Sequence, residues 1–194
     1  MNRLKNIGLY FGSFNPVHNG HLQIVRYLFG LEQFDKIWLI LSPANPFKCN
    51  QELANENSRL EMLNVAFDTF NYVEIKDIEL SLSRPSYTYR TLEILTKEYP
   101  NCHFSLIMGE DSLVTLPTWK CVEKIIGHFT IYVYPRRGYN ADKTLPNVKM
   151  VEPPYLDISS TIIRQKIRNK EDVTTLLPPK VWTIIQREKL YGAL

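Results

Sequence analysis

Ile7-Gly8-Leu9-Tyr10-Phe11-Gly12-Ser13-Phe14-Asn15-Pro16-Val17-His18-Asn19-Gly20-His21-Leu22 is the stretch that decides the architecture. Residues 7–11 are a short apolar run closed by Gly12. Over residues 21–31 the apolar Leu22, Val25, Leu28 and Phe29 fall at helical spacing. The stretch therefore reads as a strand, a tight turn and the opening of a helix. Three further runs repeat the first part: Lys36–Leu41, residues 104–108 and residues 129–134. They close on Ser42-Pro43, Gly109 and Pro135. Each run is apolar on both faces and ends in turn residues, as buried parallel strands do.

Helical patterns lie between and after these runs. Residues 58–70 open with Ser58 and Glu61, the spacing of a capping box, and continue with Leu60, Leu63, Ala66 and Phe67. Residues 88–99 carry Leu92 and Leu95 and stop at Pro100; residues 119–126 stop at Gly127. Residues 159–168 and 179–189 read as two terminal helices. Strand and helix alternate, so the expected fold is α/β: a doubly wound parallel sheet with helices on both faces. There is no repeat, low-complexity tract or linker, and residues 1–194 are expected to form one domain. Residues 42–57 are polar and without period, and a loop of that length is usually functional.

Composition narrows the function. The chain has 194 residues, 44% apolar and 12% aromatic, which excludes disorder as the main state. It has no apolar run long enough to span a membrane, and the apolar stretch in residues 1–14 is too short for a secretory signal, so no membrane association is expected. Cys49, Cys102 and Cys121 fit neither a disulfide framework nor a zinc site, which points to a reducing, cytoplasmic setting. The net charge of +3 is too small to argue for nucleic acid. Its placement is more telling: Arg136 and Arg137 form one basic pair, and Arg164, Lys166, Arg168 and Lys170 form a second run. Most of these read as solvated surface, with one or two left to meet an anion.

Residues 12–21 sit where ligands bind in an open α/β sheet, beyond the carboxyl end of a strand. Gly12 lets the backbone come close to a ligand, and the free N–H groups of the helix start favour an anion. His18 and His21 are three residues apart and share a face at the helix N-terminus. Each imidazole can donate an N–H to a phosphate oxygen. A zinc site lacks a third ligand, and the helix dipole opposes a cation there. The spacing is neither that of a P-loop nor G-x-G-x-x-G. A second candidate begins at Ile158-Ser159-Ser160-Thr161-Ile162-Ile163-Arg164. One hydroxyl suffices to cap a helix; three, followed one turn later by an arginine, can cradle a phosphate.

Both stretches resemble the two motifs of the H-x-G-H nucleotidyltransferases, relatives of class I aminoacyl-tRNA synthetases. Three more stretches, Pro85-Ser86-Tyr87-Thr88, Gly109-Glu110-Asp111-Ser112 and Leu116-Pro117-Thr118-Trp119, resemble the bacterial nicotinate-nucleotide adenylyltransferase family. The resemblance runs from about residue 7 to residue 191. It implies a Rossmann-like sheet and adenylyl transfer from ATP to nicotinate mononucleotide, giving deamido-NAD and pyrophosphate. It assigns the transferring phosphates to His18, His21, Lys48 and Arg164. It assigns the rest of ATP to Gly12, Ser13, Phe14, Gly109, Asp111, Arg136, Ser160 and Thr161. Asn45, Thr88 and Trp119 fall to the nicotinate nucleotide. Asn15 stands where many members carry Asp, and Phe47 replaces a family histidine. Residue chemistry agrees: Asp111 after a strand can accept ribose hydroxyls, Trp119 at a helix start can stack on a pyridine, and Thr88 can donate to a carboxylate.

Mg²⁺ is expected as cofactor, held mainly by phosphates, with no protein metal site. The attacking phosphate is ionised at pH 7, so no general base is required. The competing readings are the same transfer to nicotinamide mononucleotide or phosphopantetheine, and a nucleotide-binding regulator without turnover. A nucleic-acid module is a distant third. The oligomeric state is left open.

Overall fold

The computed structural model describes residues 3–43, 53–142, 144–154 and 157–193. The chain runs β1 (Lys5–Gly12), α1 (Asn19–Gly30), β2 (Lys36–Leu41), α2 (Glu56–Ala66) and β3 (Val73–Lys76). It continues α3 (Thr88–Glu98), β4 (Cys102–Gly109), α4 (Glu110–Thr115), α5 (Val122–His128), β5 (Thr130–Tyr134), β6 (Val148–Met150), α6 (Ser160–Arg168) and α7 (Pro179–Arg187). The strands form one sheet in the order β3-β2-β1-β4-β5-β6. Every pairing is parallel; Leu9 on β1 lies opposite Trp38 on one side and Leu106 on the other. This is the doubly wound α/β fold that the alternating pattern predicts.

Alternation along the strands builds two cores. Tyr10, Ile37, Leu39, Leu41, Ile107, Tyr132 and Tyr134 face α1, α2, α6 and α7, meeting Val25, Leu63, Ile163 and Ile184. Ile7, Leu9, Trp38, Ile40, Leu106, Ile131 and Val133 face α3, α4 and α5, meeting Leu92, Leu95, Leu113 and Ile125. Burial on both faces is why the four central strands read as continuous apolar runs. The chain winds outward from β1 to β3, then crosses back to β4 beside β1. The carboxyl ends of β1 and β4 therefore part around a crevice, the switch point of the sheet.

Several local expectations need correction. The sheet has two strands beyond the four expected, β3 and β6. Both are edges; their three or four residues are half-buried or exposed, so neither leaves a continuous apolar run. Helix α2 starts before Ser58: the Asn55 side chain caps it by accepting the Ser58 N–H at 2.8 Å. An asparagine in cap position satisfies that donor, and the Ser58 hydroxyl turns instead to Glu188. The helix ends at Ala66 rather than at residue 70. Trp119 does not begin a helix. It ends a 3₁₀ turn over Leu116–Thr118, and α5 starts only at Val122. Pro117 fits that short turn, whose backbone turns extended at Trp119. The unexpected α4 follows β4 directly. Of the 42–57 stretch, residues 44–52 lie outside the described residues, and its end belongs to α2.

Candidate active site

A cleft of about 510 Å³ opens at the switch point. Its walls come from the loop after β1, the β4–α4 junction, the turn after β5 and the start of α6. Sequence reasoning named residues in all four, and His18, His21, Gly12, Ser13, Phe14, Gly109, Asp111, Trp119, Arg136, Ser160, Thr161 and Arg164 all line it. Thr88 opens α3 as expected but is not among the lining residues, so it does not join Trp119 there. Asn45 and Lys48 lie outside the described residues.

The histidines form a unit. His18 occupies the N-cap of α1, and its backbone N–H donates to His21 Nδ1 at 3.1 Å. That bond makes His21 Nδ1 an acceptor and leaves the proton of a neutral ring on Nε2. The two rings lie 3.7 Å apart between centroids and are tilted by 31°. His18 is 2% exposed, and its Nδ1 is buried without a hydrogen-bond partner among the described residues. Burial first, and the Arg136 charge second, pull the His18 imidazole down to about 3, so it is neutral at pH 7. Gly20 belongs to this arrangement: a Cβ there would stand 3.0 Å from His18 Nδ1.

The loop leading to the pair is held in an uncommon shape. Phe14 has φ +44°, which a bulky residue keeps only when its surroundings enforce it. Its ring packs edge-on to Tyr10 at 5.6 Å and to His21 at 5.1 Å. Beneath, the Tyr10 and Tyr134 hydroxyls share a hydrogen bond of 2.9 Å. Burial holds the Tyr10 phenol well above its ordinary range, with Tyr134 adding to the effect.

The three hydroxyls at α6 divide their work. Ser159 Oγ caps the helix by accepting the Ile162 N–H, Ser160 Oγ donates to Pro16 O at 2.9 Å, and Thr161 Oγ1 accepts from Arg164 at 3.4 Å. Arg164 is buried and donates from Nη1 to Asn15 O at 2.8 Å. Helix α6 is thus tied to the β1 loop on two sides, and the N-termini of α1 and α6 meet in one cleft. On the far wall Arg136 Nε lies 3.8 Å from Asp111 Oδ1, with the guanidinium 5.5 Å from the Tyr134 ring centre. A Cβ at Gly109 would run into the Asp111 carboxylate, so the glycine leaves room for that side chain to sit as it does. Buried Glu110 fixes the turn that carries Arg136, accepting N–H groups of Arg136 and Ala141 at 3.4 and 3.2 Å. Trp119 is half-buried, and its indole N–H donates to Thr115 Oγ1 at 3.2 Å. Arg137 and Asp157 pair at the rim, 3.2 Å apart.

Sequence reasoning missed Arg59, Glu110 and Tyr191. Arg59 carried a signal: it falls on the buried stripe of α2 with Met62, Leu63 and Ala66. An arginine on an apolar stripe needs buried partners.

The fold and these motifs define a class before any particular member: residues 9–166 match the family described as cytidylyltransferase-like, and the chain is a nucleotidyltransferase. Among its relatives, a Flavobacterium johnsoniae protein named "Probable nicotinate-nucleotide adenylyltransferase" is 42% identical over 95% of this chain and 98% of its own. A Bacteroides thetaiotaomicron protein of the same name is 41% identical over 95% of this chain and 92% of its own. A solved structure, Plasmodium falciparum nicotinic acid mononucleotide adenylyltransferase complexed with NaAD, superposes with a TM-score of 0.83 over 98% of both chains. At 21% identity that likeness shows the fold. The chain belongs to the nicotinate-nucleotide adenylyltransferase family. No helix among the described residues is long and apolar enough to cross a membrane.

Proposed function

We propose that the chain transfers the adenylyl group of ATP to the phosphate of nicotinate mononucleotide, releasing pyrophosphate and forming deamido-NAD. The observation that carries this reading is the closely packed His18–His21 pair at the start of α1, set in one cleft with Arg136 and Arg164 at the switch point of the sheet. Two helix N-termini, imidazole N–H donors and guanidinium forks suit a polyphosphate.

One phosphate oxygen of the mononucleotide attacks the α-phosphorus; one P–O bond forms and the bond to pyrophosphate breaks. The attacker is ionised near pH 7, since the second pKa of a phosphate monoester is about 6. The protein therefore aligns attacker and leaving group and offsets charge that spreads onto them. His18 and His21 are assigned to the phosphates as donors, Arg164 with Ser160 and Thr161 to the leaving pyrophosphate, and Lys48 to the transferring group. Gly12, Ser13 and Phe14 supply the close backbone, and Gly109, Asp111 and Arg136 the nucleoside side. Trp119 is the aromatic wall offered to the pyridine, with Asn45 and Thr88 proposed beside it.

Mg²⁺ is proposed to arrive with ATP. Among the described residues no group of three or more His, Cys, Asp or Glu stands together to hold a metal. The cleft carboxylates Asp111 and Asp157 each face an arginine. That donor set fits an ion carried by the phosphates and their waters, where it would neutralise part of their charge. The free thiols Cys102 and Cys121 support a cytoplasmic setting.

The test is pyrophosphate release with ATP and Mg²⁺, comparing nicotinate mononucleotide, nicotinamide mononucleotide and phosphopantetheine. A preference for nicotinate mononucleotide of about 100-fold, or about 2.7 kcal/mol, is expected. Release with only another acceptor would keep the chemistry and overturn the acceptor. Binding of ATP without release would turn the reading to a regulator.

A further inference from the structure

Arg59 is 1% exposed and is not part of the cleft lining. Among the described residues its guanidinium makes four hydrogen bonds, all to backbone carbonyls. Nη1 donates to Ser13 O at 2.8 Å and to Ser42 O at 2.7 Å, Nη2 to Pro43 O at 2.8 Å, and Nε to Ala54 O at 3.0 Å. These acceptors lie in three places: the loop after β1, the chain leaving β2, and the chain entering α2. The Asn15 carboxamide completes the joint, with Oδ1 accepting the Ala54 N–H at 3.0 Å and the Tyr191 hydroxyl at 2.7 Å.

Two consequences follow from this geometry. First, Phe14 keeps its positive φ between two carbonyls that are each held at 2.8 Å: Ser13 O by Arg59 and Asn15 O by Arg164. A trans peptide sends its C=O and N–H in opposite directions, so drawing Ser13 O toward Arg59 sends the Phe14 N–H away from it. Ser13 and Phe14 line the cleft and Arg59 does not. Second, both roots of the segment that carries Asn45 and Lys48 are fixed to the same guanidinium as the β1 loop.

We propose that Arg59 is a positioning residue for adenylyl transfer: its planar fork registers the β1 anion loop against both roots of the 43–54 segment. This rests on the reading that the cleft receives the triphosphate. Lysine cannot replace it, because three donors on one point cannot reach carbonyls spread over three segments.

The experiment compares wild type, Arg59→Lys and Arg59→Ala by pyrophosphate release at saturating ATP and nicotinate mononucleotide, with a thermal melt of each. Arg59→Lys is expected to melt cooperatively and to lose about 10–100-fold in kcat, the scale of a misplaced reacting group. Guanidinium ion is expected to restore part of the Arg59→Ala rate, and methylammonium, which has the charge but not the fork, is not. A folded Arg59→Lys with wild-type kcat would overturn the proposal. So would rescue by both cations alike, or loss of the cooperative melt in both variants, since the role would then be structural alone. Wild type serves as the control for the reading beneath: if it releases no pyrophosphate, the function assignment fails rather than the role of Arg59.

Discussion

His18 is an imidazole that cannot keep a proton where it stands. Its pKa falls to about 3 in the folded chain, against about 6.5 unfolded. Between those values the unfolded state binds the proton and the folded state does not. Stability therefore falls as pH drops through that window, by at most about 1.4 kcal/mol per pH unit from this one group. The melting temperature should drop between pH 7 and pH 5, and the drop should shrink in His18→Asn; equal drops would show that the site does not exclude the proton. Gly20 makes a second prediction at this scale. Alanine there would press on His18 Nδ1 from 3.0 Å, so Gly20→Ala should lower the turnover number by about tenfold or more while the melt moves little. That His18, His21 and Arg164 stand in the cleft was legible because each belongs to a local motif, whereas Arg136 came only through the family resemblance. Arg59 was not, because its partners come from three segments that only the folded sheet brings together. The roles of the α6 hydroxyls were half legible: the surplus beyond the cap was real, but Ser160 spends its hydrogen on Pro16 O.

At the scale of elements, central strands were easy to read and edges were not. Residues buried on both faces leave an apolar run; Val73–Lys76 and Val148–Met150 have a partner on only one side and leave none. Helix ends followed the better cap rather than the expected motif. Asn55 holds the first turn of α2, so Asn55→Ala should cost about 1 kcal/mol, or roughly 2–4 °C in Tm for a chain of this size. Glu61 pairs with exposed Arg187 instead of closing a capping box, and Glu61→Gln should stay within about 0.5 kcal/mol of wild type. Thermal melts of the two variants would separate these cases, and a reversed order would restore the box at Ser58. The 3₁₀ turn before Trp119 was hidden because a short turn with proline resembles a helix start in sequence. Its effect is local: the ring still reaches the cleft.

For the whole molecule, the decisive feature is that the cleft draws on both halves of the sheet. Gly12 ends β1, Gly109 ends β4, Arg136 follows β5, and α6 closes on the β1 loop through Ser160 and Arg164. A nucleotide bound there should stabilise the fold as one unit. With MgATP at about 100 times its Kd, the expected gain is about 2.7 kcal/mol, or about 5–11 °C. Calorimetry should show a single transition that moves as a whole; two transitions, one of them unmoved, would mean that the halves do not share the ligand. The doubly wound class was legible from the alternation of four apolar runs with helical patterns, but the six-strand order was not, because the two edge strands leave no apolar run.

The bond from the Tyr191 hydroxyl to Asn15 Oδ1 spans 176 positions in the chain. At ribosomal speeds of about 5–20 residues per second, the loop at Asn15 waits about 9–35 s for that partner. A nascent chain thus carries His18 and His21 into the cell well before the residue that braces their loop has been made. Its substrates meet a completed joint only on a chain translated past Tyr191.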